Sequence, residues 1–286
     1  MKYDPNGNEL WMRTYDIAPS SYCSEHEVAA GTIDSAGNIY ITGYGGNYPS
    51  YDYVTVKYDT NGNLLWALRY DYNNLNDKPA AIIVSSSGHV YVAGTSGDDY
   101  ATIKYDSNGN QLWGARYSSS DNSNDYAVGL AVDSHDSAYV TGYSYTGGDI
   151  STADYVTVKY DSNGNELWIR RYNGPKNNAD QVASITVDAS DNIYVTGTSG
   201  YIGWGDTDYI TVKYDTNGNE VWVIGYNGPA NYYDVACCIK VDGSGNVYVT
   251  GTSFGDIATV KYSQPQQFID VQIDIKPGSF PNSIKL

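Results

Sequence analysis

Apolar and polar positions alternate in short runs along almost the whole chain, and no stretch has a helical period. The stretch 181–226 shows the unit. Val182–Asp188 (VASITVD) alternates and is rich in β-branched residues, and ASDN turns the chain. Ile193–Thr198 (IYVTGT) is a second run and Tyr209–Asp215 (YITVKYD) a third; TNGN turns the chain again before Glu220–Tyr226 (EVWVIGY). Period-2 runs bounded by Asn-Gly and similar turns predict antiparallel strands joined by hairpins, because Gly and Asn accept the positive φ such turns need. The four strands are termed A to D.

The unit recurs. Its C–D phrase reads KYDPNGNELW at Lys2–Trp11, KYDTNGNLLW at Lys57–Trp66, KYDSNGNQLW at Lys104–Trp113, KYDSNGNELW at Lys159–Trp168 and KYDTNGNEVW at Lys213–Trp222. A broken copy, KYSQPQ, begins at Lys261. The lysines lie 47 to 55 residues apart. Repeats of roughly 50 residues with four strands each predict the blades of a β-propeller. A strands start near Glu27, Pro79, Tyr126, Gln181 and Val235, so the expectation is an all-β, five-bladed propeller of four-stranded antiparallel blades. The fifth blade has A, B (Val247–Thr252) and C (Ile257–Tyr262), while Glu9–Tyr15 is a D strand without its own blade. Pairing the two would close the ring and remove an open edge. The alternative is a fragment of a larger propeller, with Lys2–Asn8 the remnant of a C strand. Residues 1–262 are read as the propeller and 263–286 as a tail or the start of a following module.

The phrases YVTVKYDTNGNxLW and VDxSGNxYVTGTS resemble the bacterial β-propeller repeat known as SBBP, and more distantly the NHL and quinoprotein propeller repeats. The resemblance covers Lys2–Tyr262. It implies a secreted or cell-surface protein and no particular activity, since no catalytic motif defines that family. The tail Ile273–Leu286 resembles the opening of a module that often follows such propellers, which implies a longer multidomain chain.

Charge narrows the partners. Sixteen basic against thirty-three acidic side chains leave a net charge of −17. That argues against nucleic acid and anionic membrane surfaces, which demand a positive face. No run of roughly 18 apolar residues suggests a membrane span. Cys23, Cys237 and Cys238 are too few and odd in number for a disulfide framework. Cys237 takes a slot held elsewhere by Ala29, Ala80, Val128 and Ala183, which predicts a small buried residue.

Most recurring residues read as scaffold. Trp11, Trp66, Trp113, Trp168 and Trp222 share one slot, as inter-blade packing would require. Lys57, Lys104, Lys159, Lys213 and Lys261 fall mid-strand and need partners. Asp52, Asp99, Asp154, Asp208 and Asp256 each lie five residues before a lysine, and Asp77, Asp125, Asp180 and Asp234 open A strands. Lys–Asp pairs and Asx turns are one reading of these aspartates. A carboxylate ring that binds calcium is the other, and calcium is the one cofactor considered. The turns DTNGN and DSNGN lack the distal Glu of a calcium loop and read as hairpins.

Catalytic constellations are sparse, and no catalytic residue is assigned. His89 and His135 fall in A–B turns and His26 at the start of an A strand, on opposite faces. Cys23 and His26 form a lone C-x-x-H, weak for zinc. Gly251–Gly255 matches G-x-S-x-G but leads into a loop rather than the helix a nucleophile elbow needs.

Length varies in the D–A and B–C connections, which antiparallel alternation places on one face. The B–C loops carry Tyr48, Tyr51, Tyr143, Tyr145, Tyr201 and Trp204, with Asp149 and Asp206 as polar neighbours. Rigid aromatic area beside adaptable polar residues is the composition of recognition loops. These eight residues are therefore the expected ligand contacts of a non-enzymatic binding propeller that takes a glycan or a surface protein. The alternatives are a propeller hydrolase or lyase with an axial carboxylate or metal site, and a purely structural spacer.

Overall fold

A computed structural model describes residues 1–16, 25–47, 50–120, 123–147, 149–174, 177–200 and 207–263. All of their regular structure is β-strand. A short hairpin, β1 (Lys2–Tyr3) and β2 (Glu9–Trp11), comes first. The first full sheet holds β3 (Glu25–Ile33), β4 (Ile39–Asn47), β5 (Ser50–Tyr58) and β6 (Leu64–Tyr70). The second holds β7 (Asp77–Val84), β8 (Val90–Ser96), β9 (Asp99–Tyr105) and β10 (Gln111–Tyr117). The third is β11 (Asp125–Val132), β12 (Ala138–Thr146), β13 (Asp149–Tyr160) and β14 (Glu166–Tyr172). The fourth is β15 (Asp180–Val187), β16 (Ile193–Ser199), β17 (Asp208–Tyr214) and β18 (Glu220–Tyr226). The last has three strands, β19 (Asp234–Val241), β20 (Val247–Ser253) and β21 (Asp256–Tyr262). In each full sheet the strands hydrogen-bond in A–B–C–D order, the meander of a propeller blade. Two compact units divide the chain, 1–140 with 160–165 and 141–159 with 166–286.

The expected pairing of Glu9–Tyr15 with the last sheet does not form: β2 pairs with β1, Lys2 opposite Trp11, and β21 pairs with β20. The physical reason lies in the first unit. Trp11 Nε1 and Lys2 Nζ both donate to the Thr60 carbonyl, at 3.2 and 2.8 Å, and the Trp11 ring lies 6.5 Å from Tyr58. Three later D-strand tryptophans are held in the same way. Trp66 donates to the Ser107 carbonyl (3.2 Å), Trp113 to Ser162 (3.1 Å) and Trp168 to Thr216 (3.3 Å). The hairpin thus sits on the first sheet as a C–D pair, with Lys2–Tyr3 as the C-strand remnant of the alternative reading.

The mid-strand lysines correct a second expectation. Their main partners are not the aspartates five residues earlier but the same turn carbonyls: Lys57 to Ser107 (2.9 Å), Lys104 to Ser162 (3.0 Å) and Lys159 to Thr216 (3.1 Å). A B-strand tyrosine ring covers the ammonium, at 5.0 Å for Tyr40 on Lys57 and Tyr194 on Lys213. The aspartates take arginines from strand D instead, in Asp52–Arg69, Asp99–Arg116 and Asp154–Arg171.

One B-strand glycine position is fixed by close approach. A Cβ on Gly251 would stand 2.0 Å from the Val235 carbonyl oxygen, so only glycine fits against strand A there. The same strand A has a β-bulge between Ala236 and Cys238. It brings the Cys237 and Cys238 sulfurs to 3.1 Å on the surface, so Cys237 is exposed rather than buried as expected.

Candidate functional site

The variable connections of the second unit are tied together by backbone bonds. Thr207, in the B–C connection of the fourth sheet, bridges Tyr233 in the following D–A connection. Asp234 N donates to the Thr207 carbonyl at 2.9 Å, and Phe254 N to the Tyr233 carbonyl at 2.8 Å. Phe254 and Asn231 adopt positive φ, 49° and 50°. Such strain in non-glycine residues persists only where the surroundings over-determine it.

On this tied platform Tyr232 meets Tyr233 edge-on, ring centroids 4.4 Å apart, and Phe254 at 5.5 Å with a 90° interplanar angle. Phe254 is 63% exposed and Tyr232 42%. Large apolar side chains so exposed and clustered are available for contact rather than for folding. Phe254 was not among the expected contacts. Its signal in the sequence is an aromatic residue in the short B–C loop SFGD.

The expected contacts divide into groups. Tyr143 and Tyr145 are half-buried and pack on each other at 5.8 Å. Asp149 is exposed, and its Oδ1 accepts from the backbone N and the Oγ of Ser151 at 2.9 and 2.8 Å, which holds its carboxyl below the usual range. Tyr51 is buried in the first unit: its ring stands 5.5 Å from Tyr44, and Lys78 Nζ lies 4.6 and 5.3 Å from the two rings. Tyr48, Tyr201, Trp204 and Asp206 lie outside the described residues.

The calcium candidates are mostly engaged. Asp52, Asp99 and Asp154 hold arginines, Asp99 and Asp154 at 2.7 Å. Asp208 is half-buried at the start of β17, and Asp256 is exposed. Asp52, Asp71 and Asp77 bring carboxylate oxygens within 4.8 Å of one another. The Arg69 guanidinium on Asp52 already supplies positive charge to that group. The A-strand aspartates cap the D–A connections: Asp77 accepts from Tyr72 N (2.8 Å), Asp180 from Gly174 N (2.6 Å) and Asp234 from Gly228 N (2.6 Å). The G-x-S-x-G serine, Ser253, is buried opposite Asp234 on the neighbouring strand.

The family model described as SBBP, a beta-propeller repeat, matches residues 167–200, which run from β14 through β16. No curated protein matches the sequence. Among solved structures, a Bacteroides caccae protein of unknown function is similar over 87% of this chain and 82% of its own, with 12% identity and a TM-score of 0.53. That likeness is one of fold. A Xanthomonas campestris gluconolactonase aligns at 13% identity over 78% of this chain and 69% of its own, and a streptogramin B lyase at 14% over 84% of each. Their TM-scores, 0.44 and 0.38, carry no weight for chemistry. Residues 167–200 thus match the SBBP beta-propeller repeat, and the same C–D phrase and four-stranded meander recur in the other full sheets, so the fold is that of propeller blades.

Proposed function

We propose that this chain is a recognition propeller that binds an extracellular or cell-surface glycan through its D–A and B–C connections. The observation that carries the proposal is the platform on which the exposed rings of Tyr232 and Phe254 pack with the half-buried Tyr233, held by interlocked backbone bonds. Ring faces of this kind stack on pyranose C–H groups, and polar neighbours fix orientation. Tyr143, Tyr145 and Asp149 belong to connections of the same type, and Tyr201, Trp204 and Asp206 immediately precede Thr207 in sequence. A platform fixed before binding loses little entropy when a ligand arrives, which favours useful affinity from a small area.

The test is a glycan array probed with the whole chain, followed by calorimetry on any hit. Tyr232→Ala and Phe254→Ala should each weaken binding by 10-fold or more, while Tyr51→Phe leaves it unchanged. An array without hits, or a hit indifferent to both alanine variants, overturns the proposal. Capture of a surface protein that competes at the same two residues would move the ligand class from glycan to protein.

A further inference from the structure

The A–B turns follow one formula, and the second sheet breaks it. Asp34, Asp188 and Asp242 head their turns: the backbone N–H groups two and four residues on donate to Oδ1, and the B-strand tyrosines Tyr40, Tyr194 and Tyr248 donate to Oδ2. In the second sheet Ser85 takes the aspartate's place and His89 takes the place of Asn38, Asn192 and Asn246. Tyr91, deprived of that carboxylate, donates to the Asp136 carbonyl at 2.8 Å.

Asp136 is itself a departure. It stands where three of the other turns have Gly37, Gly88 and Gly245, and it bears a φ of 63° that glycine would adopt freely. Its carboxylate reaches into the turn of the second sheet. Oδ2 lies 2.7 Å from His89 Nδ1 and 2.5 Å from Ser87 Oγ, and Lys104 Nζ stands 3.8 Å away.

These departures converge on one cleft of about 540 Å³ in the first unit, lined by His89, His135, Asp136, Lys104, Trp113 and Asn163 among others. With Nδ1 held against a carboxylate, His89 has Nε2 left as a lone-pair donor. Metal-ligating histidines use this arrangement, because the carboxylate fixes the tautomer and raises the basicity of the free nitrogen. His135 brings a second imidazole to the same cleft, and its Nδ1 lies 3.1 Å from Ser134 Oγ. Two imidazoles with oxygen donors nearby suit a borderline divalent ion rather than calcium or magnesium. Lys104 does not block this: its ammonium is committed to the Ser162 carbonyl and the Tyr91 ring, and Asp136 offsets its charge.

We propose that the cleft between the second and third A–B turns binds a zinc-class divalent transition ion through His89 Nε2 and His135, with Asp136 fixing the His89 ring.

Calorimetric titration of the whole, tag-free chain with Zn²⁺ at about pH 7.5 tests it. The natural control residues come from the other turns: His89→Asn, His135→Ser and Asp136→Gly each restore what other repeats carry at that slot, so the variants should fold. One equivalent should bind, and each histidine variant should weaken it at least 10-fold. Loss of the carboxylate should weaken it about 10- to 100-fold. Binding should survive in His26→Ala and in a Cys237→Ser, Cys238→Ser double variant. No saturable binding, unchanged affinity in both His89→Asn and His135→Ser, or loss in the cysteine variant instead would overturn the proposal.

Discussion

Lys57 Nζ donates a 2.9 Å hydrogen bond to the carbonyl oxygen of Ser107, in the turn between β9 and β10 of the next sheet. The same carbonyl accepts Trp66 Nε1 at 3.2 Å. One turn oxygen thus takes both recurring side chains of the C–D phrase, and the pattern repeats at Ser162 and Thr216. Lys57→Met keeps the stem and removes the ammonium. Trp66 continues to satisfy the carbonyl, so the loss is that of a charged hydrogen bond less the relief of a buried charge, about 1–2 kcal/mol. Urea unfolding measures it. A double variant with Trp66→Phe should lose more than the sum of the singles, because the carbonyl then has neither donor.

Asp180 separates a buried charge from a buried hydrogen bond. It is fully buried, and its Oδ2 accepts from Gly174 N at 2.6 Å. Burial pushes its carboxyl above the ordinary value, against bonds from Ser199 and Gly174. Asp180→Asn retains an acceptor and should cost under about 1 kcal/mol, whereas Asp180→Ala strands a buried N–H and should cost about 1–3 kcal/mol. Equal losses would show that the charge itself is what the fold uses.

The strands were legible because alternation and Asn-Gly turns are local signals. The expected runs at Ile193–Thr198 and Glu220–Tyr226 lie within or match β16 and β18. The lysine partners were not legible, since a backbone carbonyl in the next repeat has no residue signature. Arg69, Arg116 and Arg171 do carry a signal: each stands one residue before the D-strand tyrosine, a slot that is Gly225 in the fourth sheet. The His89 cleft was hidden for another reason. A–B turns hardly vary in length, so length variation does not mark the changes of residue type within them. Of the expected recognition residues, Tyr51 shows the limit of reading aromatics by loop membership alone, for Lys78 and Tyr44 cover its ring.

Cys237 and Cys238 should behave as one reactive unit. Both are free and exposed, with sulfurs 3.1 Å apart across the β-bulge. A bond from Cys237, and then burial, push the Cys238 thiol up, so labelling near pH 7 should be slow and should quicken towards pH 9. A trivalent arsenical such as phenylarsine oxide needs two neighbouring thiols and should bind one-to-one. Cys237→Ser or Cys238→Ser should each abolish that binding, as read by mass spectrometry; arsenical retained by either single variant would contradict the geometry.

The turn aspartates set the response to acid. In the C–D turns, side-chain and backbone bonds from Asn63, Asn110, Asn165 and Asn219 hold Asp59, Asp106, Asp161 and Asp215 below the ordinary carboxylate value. In the A–B turns, burial raises Asp34 and Asp188, but bonds from Asn38 and Asn192 and from tyrosines outweigh it, and Asp242 falls to about 2. A depressed folded value means stability that is complete above the unfolded value of about 3.9 and is lost as pH falls through the folded one. Asp77, Asp154 and Asp180 are raised by burial and have the opposite sign, contributing more as they protonate. The turn groups are more numerous and each anchors several N–H bonds, so the net effect should be a falling urea midpoint between about pH 4 and 2. Asp188→Asn keeps an acceptor without a titrating group and should flatten that slope. A midpoint that instead rose on acidification to pH 3 would show that the three buried carboxyls dominate.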